Sequence, residues 1–62
     1  MGYKEEWIGY YKYLEEVREA GYNMYGATPY LVDQFLIKKR LARTILASYM
    51  EHYDLLRKDG VI

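Results

Sequence analysis

The chain has 62 residues, enough for one domain, with no cysteine, a single histidine, and nine acidic against nine basic side chains. These counts exclude disulfides and thiolate zinc sites and leave a structural metal almost no ligands, while zero net charge argues against strong non-specific nucleic-acid binding. A chain this short buries only about 60% of the surface its unfolded form exposes, so a second subunit is the expected reinforcement.

Tyr3, Trp7, Tyr10, Leu14 and Val17 recur at alternating spacings of three and four, with Tyr13 widening the stripe. That is one face of a helix running from about Lys4 to Ala20. Glu5 and Glu6 fall in its first turn, where the helix dipole favours negative charge. Gly9 interrupts it and is expected to mark the close approach of another helix. Gly21 is expected just past the helix end in left-handed conformation, with Tyr22 folding back on Val17. Tyr22 to Ala27 then form a connecting loop, in which Asn23, Met24 and Tyr25 are read as loop filling before any ligand contact.

Thr28 followed by Pro29 is a helix start: the threonine hydroxyl caps free amides and proline fits the first helical position. The second helix covers about Pro29 to Phe35, with Leu31 and Phe35 on its inner edge and Val32 beside them. A long third helix is expected from about Lys38 to Lys58, with Ala42, Ile45, Leu46, Tyr49, Met50, Tyr53 and Leu56 as its apolar stripe. At 1.5 Å per residue it would span roughly 30 Å, so its distal half would need cover from the first helix or from another subunit. Gly60 ends the pattern, leaving Val61 and Ile62 frayed or docked. The expected architecture is all-α, a single three-helix domain over residues 1–62.

Charge is unevenly placed. Residues 1–20 carry Lys4, Lys12 and Arg18 against five glutamates, and residues 33–43 carry Lys38, Lys39, Arg40 and Arg43 against Asp33 alone. Glu15, Glu16 and Glu19 are read as a solvated helix surface offset by Lys12 at i,i+3 and i,i+4. Nine tyrosines are the other anomaly. They suit half-buried positions and interfaces, because each ring keeps a polar tip. A symmetric homodimer is expected, with Trp7, Tyr10, Tyr49 and Tyr53 at the contact.

The segment TPYLVDQFLIKKRLARTIL resembles a helix-turn-helix over residues 28–47. Thr28 opens the first helix, Leu31 and Phe35 supply its inner face, Ile37 plugs the turn, and Ala42 and Ile45 come from the second helix. Two positions depart from the motif. It prefers a small residue at Val32, and glycine at Leu36, where the turn often needs positive φ. Leu36 is therefore strained in the standard turn, or else the turn takes another shape. In this frame the groove-facing positions are Lys38, Lys39, Arg40, Arg43, Thr44 and Ala47. The resemblance implies DNA contact through the four cations and Thr44, with lysine and arginine on phosphates and arginine able to read guanine. Three cations at a helix start oppose its dipole, which itself favours an anionic partner.

YKYLEEVREAG, NMYGATPYL and LARTILASYMEHY also resemble stretches of short uncharacterised proteins of tailed phages, marine ones especially, over Tyr11 to Tyr53. That resemblance implies a phage product acting in the cytoplasm of a bacterial host and implies no activity. With the helix-turn-helix resemblance, the preferred role is a DNA-binding or transcription-modulating protein; the rivals are a host-takeover adaptor that binds a bacterial protein through its tyrosine-rich surface, and a structural or assembly factor. No enzyme, cofactor or metal is expected, because His52 lacks an orienting acid and Ser48, one turn back, makes no triad with it. His52 is read as a surface or interface side chain. No apolar run approaches the ~20 residues of a membrane span, and no basic start precedes an apolar core, so neither anchor nor signal peptide is expected.

Overall fold

The computed structural model describes residues 2–62 as four α-helices: α1 (Ile8–Glu19), α2 (Thr28–Phe35), α3 (Lys39–Glu51) and α4 (Tyr53–Lys58). Short 3₁₀ turns precede α1 (Glu5–Trp7) and α2 (Met24–Gly26). There is no strand among the described residues, so the fold is all-α. The radius of gyration is 10.7 Å, close to the value of about 10.6 Å expected for a folded chain of this length.

The first expected helix is two pieces. Glu5 and Glu6 lie in the 3₁₀ turn, and Trp7, at φ −102°, ψ 7°, separates it from α1. Helix α1 stops as its sequence predicts. Gly21 has φ 91°, its amide donates to the Arg18 carbonyl, and the Tyr22 amide donates to the Val17 carbonyl. This is the paired 5→2 and 6→1 closure that left-handed glycine permits. The Tyr22 ring itself lies against Tyr30, with centroids 5.1 Å apart. Gly60 closes α4 in the same way, with φ 75° and bonds from Gly60 to Arg57 and from Val61 to Leu56. Val61 and Ile62 are docked on the core.

Two further expectations, one at the start of the second helix and one within the first, need correction. The Thr28 hydroxyl makes no capping bond: Ala27, fully buried, precedes α2, and its carbonyl receives the Tyr30 and Leu31 amides. Capping chemistry appears one turn earlier, where the Asn23 side chain accepts from the Tyr25 amide at 3.0 Å. Gly9 is exposed, and a Cβ there would meet nothing within 4 Å. No helix approaches it closely.

The long third helix is divided. His52, at φ −105°, ψ 18°, ends α3 and α4 follows directly. The break carries Leu56 into the interior, where it is fully buried. Helix α4 is tied to the N-terminal segment by the Tyr3 hydroxyl, which donates to Asp59 at 2.8 Å. Within the distal stripe Tyr49 and Leu56 are thus covered by the chain itself, while Tyr53 stays half-buried and Met50 exposed.

The core consists of Tyr11, Leu14, Ala27, Leu31, Ala42, Ile45, Leu46, Tyr49 and Leu56. Leu31, Ala42 and Ile45 pin α2 against α3 with no exposure. Tyr10 and Tyr13 of α1 brace α2 edge-on at Phe35, at 4.7 and 5.4 Å. Such edge-to-face pairs add about 0.5–1.5 kcal/mol each beyond the area they bury.

Candidate nucleic-acid interface

Helix α2 ends at Phe35 because Leu36 takes the left-handed conformation, φ 53°, ψ 42°, while its amide still donates to the Val32 carbonyl at 2.8 Å. Ile37 is half-buried on the core and Lys38 is extended, at φ −70°, ψ 146°. Three residues therefore connect two helices that share a buried contact. The position expected to favour glycine does have positive φ, and it holds a leucine.

Lys38, Lys39, Arg40 and Arg43 are all exposed. Among the described residues none of them forms an ion pair, and the first turn of α3 contains no acidic side chain. Four cations lie within six residues, and three of them, Lys38, Lys39 and Arg40, stand at the helix start, where the dipole opposes them. Thr44 is exposed beside them, and its hydroxyl donates to the Arg40 carbonyl at 3.1 Å. It must leave that carbonyl before it can donate to a phosphate, but it can accept without rearrangement. A shallow cleft between α2 and α3, lined by Thr28, Pro29, Val32, Asp33 and Lys39, borders the cluster.

The side chains expected at a subunit contact fall in different places. Tyr49 is 2% exposed and its hydroxyl donates to Glu15 at 2.7 Å, so it belongs to the core and has no surface to offer. Trp7, half-buried, sits under the Lys4 ammonium at 5.0 Å, and Tyr10 faces α2. Tyr53 is half-buried beside the Arg18 and Arg57 guanidiniums, at 5.2 and 5.9 Å.

Glu15 is the main feature that sequence reasoning missed. Expected in a solvated acidic surface with Lys12, it is instead only 8% exposed. Arg18 grips it with two bonds, of 2.8 and 3.2 Å, Tyr49 donates a third, and Arg57 stands 3.8 Å away. The Arg18 bonds, with help from Tyr49 and the two charges, hold its carboxyl below the usual range against the opposing effect of burial. Burial, reinforced by Glu15, pushes the Tyr49 phenol up. Only the Arg18 spacing, three residues along α1, was readable in advance.

His52 is half-buried at the α3–α4 break. Its Nδ1 lies 3.0 Å from the Ser48 carbonyl and 3.3 Å from Ser48 Oγ, which is 2.9 Å from the Tyr11 hydroxyl. A carbonyl only accepts, so Nδ1 carries the proton. The chain Tyr11–Ser48–His52 joins α1 to the end of α3, and no carboxylate contacts it.

Tyr22, Tyr25 and Tyr30 are the exposed tyrosines, Tyr25 at 87%. Tyr25 does not fill its loop. With Met24, Met50 and Tyr53 it lines a second groove beside Arg18. Among the described residues, no three His, Asp or Glu side chains converge on a point that could hold a metal ion, and no helix is long and apolar enough to cross a membrane. No protein-family model matches the chain, and no curated protein or solved structure matches it.

Proposed function

We propose that the chain is a phage product that binds duplex DNA through α3 as a helix-turn-helix protein and modulates transcription in a bacterial host. The observation that carries this reading is the cluster Lys38, Lys39, Arg40 and Arg43, exposed and free of ion pairs among the described residues. Two further features support it. Leu31, Ala42 and Ile45 are buried at the spacing that packs such helix pairs, and the turn has its left-handed residue at Leu36. The start of α3 enters the major groove, where lysines meet phosphates and an arginine pairs with guanine O6 and N7. Two copies on adjacent half-sites would double the phosphate contacts. Trp7, Tyr10 and Tyr53 keep exposed edges for pairing, while Tyr49 does not.

The reading is tested by fluorescence anisotropy with duplex DNA at about 50 and 150 mM salt, a range over which phosphate contacts register. Lys39→Ala and Arg43→Ala should weaken binding and leave folding unchanged. Each should also lower the magnitude of the salt slope by roughly 0.9, the effect of one phosphate no longer neutralised. Lys12→Ala and Lys58→Ala should have little effect. The second reading, an adaptor for a host protein, is favoured by the exposure of Tyr22, Tyr25 and Tyr30. Under it, binding to DNA is absent and substitution of Tyr25 abolishes capture of the protein partner.

A further inference from the structure

Leu36 is unfavourable in two ways at once. Its φ of 53° places a leucine where Cβ crowds the following carbonyl oxygen. It is 89% exposed, more than any other large hydrophobic residue among those described, so the fold gains almost no burial from it. Glycine or asparagine at this position would remove the strain or tolerate the conformation. A strained residue whose side chain adds so little to its own fold points to a contact made elsewhere.

Its surroundings define that contact. Chain geometry keeps the Leu36 and Lys38 Cα atoms within about 7 Å and those of Leu36 and Arg40 within about 14 Å. The leucine thus stands beside the cation cluster, and its partner must present apolar surface close to anionic groups. The major groove of duplex DNA does so, because each thymine displays a C5-methyl between the phosphate backbones. We propose that Leu36 contacts thymine methyl groups in the DNA segment bound by Lys38, Lys39, Arg40 and Arg43, which makes it a sequence-selecting residue. This inference rests on the DNA reading above.

The test is fluorescence anisotropy on two A·T-rich duplexes of about two helical turns, identical except that one carries deoxyuridine in place of every thymidine. Wild type, Leu36→Gly and Leu36→Asn are compared on both. Wild type should prefer the thymine duplex by about threefold or more. Both variants should bind the thymine duplex about fivefold more weakly than wild type, as expected when a partly buried leucine is removed from an interface. They should bind the two duplexes equally, with the salt slope of wild type because every phosphate keeps its cation. Their melting temperatures should not fall, which separates a missing methyl contact from an unfolded protein, and asparagine separates it from loosening of the turn by glycine. Equal wild-type affinity for the two duplexes, or a thymine preference that survives Leu36→Gly, overturns the methyl contact and leaves the DNA reading standing. Absence of wild-type binding to either duplex overturns both.

Discussion

Replacing Leu36 with glycine should stabilise the free protein. A non-glycine residue in the left-handed region costs roughly 1–2 kcal/mol, and Leu36 sits there at φ 53°, ψ 42°. Two losses offset the relief. Glycine enlarges the unfolded ensemble, at about 0.4–1 kcal/mol. The leucine gives up what burial it has, but at 89% exposure that is only a few tenths of the roughly 1.5–3 kcal/mol that full burial is worth. The net gain is about 0.5 kcal/mol, a rise of roughly 2–4 °C in melting temperature for a domain of this size. Leu36→Val should move the other way, because a β-branched residue fits the left-handed region worse still. The measurement is thermal and urea unfolding followed by far-ultraviolet circular dichroism. A destabilisation of ~2 kcal/mol or more on Leu36→Gly, the cost of deleting a core leucine, would refute both the turn geometry and the frame built on it.

Glu15→Ala strands a buried Tyr49 hydroxyl and frees Arg18, and should cost about 2–3 kcal/mol, below the 3–5 of a fully buried pair because Arg18 is partly solvated. The Glu15 carboxyl is held below its ordinary value of 4.5 in the folded state. Its contribution is therefore present above that value and lost as pH falls through the lower folded one, so the urea midpoint should drop in acid, and less steeply in Glu15→Gln. Gly9→Ala meets nothing within 4 Å and should raise stability by up to about 1 kcal/mol, read as a higher melting temperature; a loss would mean that the site is not open.

Much of the fold was legible because local chemistry decides it. Gly21 and Gly60 stop their helices as their residue type predicts, and the spacing of Leu31, Phe35, Ala42 and Ile45 marks the contact between α2 and α3. The division at His52 was not legible. Tyr49, Tyr53 and Leu56 keep helical spacing across it, and neither glycine nor proline signals the break. What decides it is the burial of Leu56 against the rest of the core, a tertiary preference without local trace. Tyr49 and Glu15 were misread for a related reason: 34 residues separate two side chains that satisfy each other, and spacing along one helix says nothing of that. The cation cluster was legible from the order of charges along the chain, while its freedom from ion pairs needed the structure.

Whether the start of α3 binds nucleic acid is measured most directly by the salt dependence of duplex binding by the wild-type chain. With Lys38, Lys39, Arg40 and Arg43 exposed and without ion pairs among the described residues, the proposed binding would neutralise up to four phosphates per copy. The logarithm of the binding constant should then fall against the logarithm of salt with a slope of about −3 to −4 for one copy, and about twice that for a pair. No binding at about 50 mM salt, or a slope shallower than about −1, would contradict DNA binding through α3.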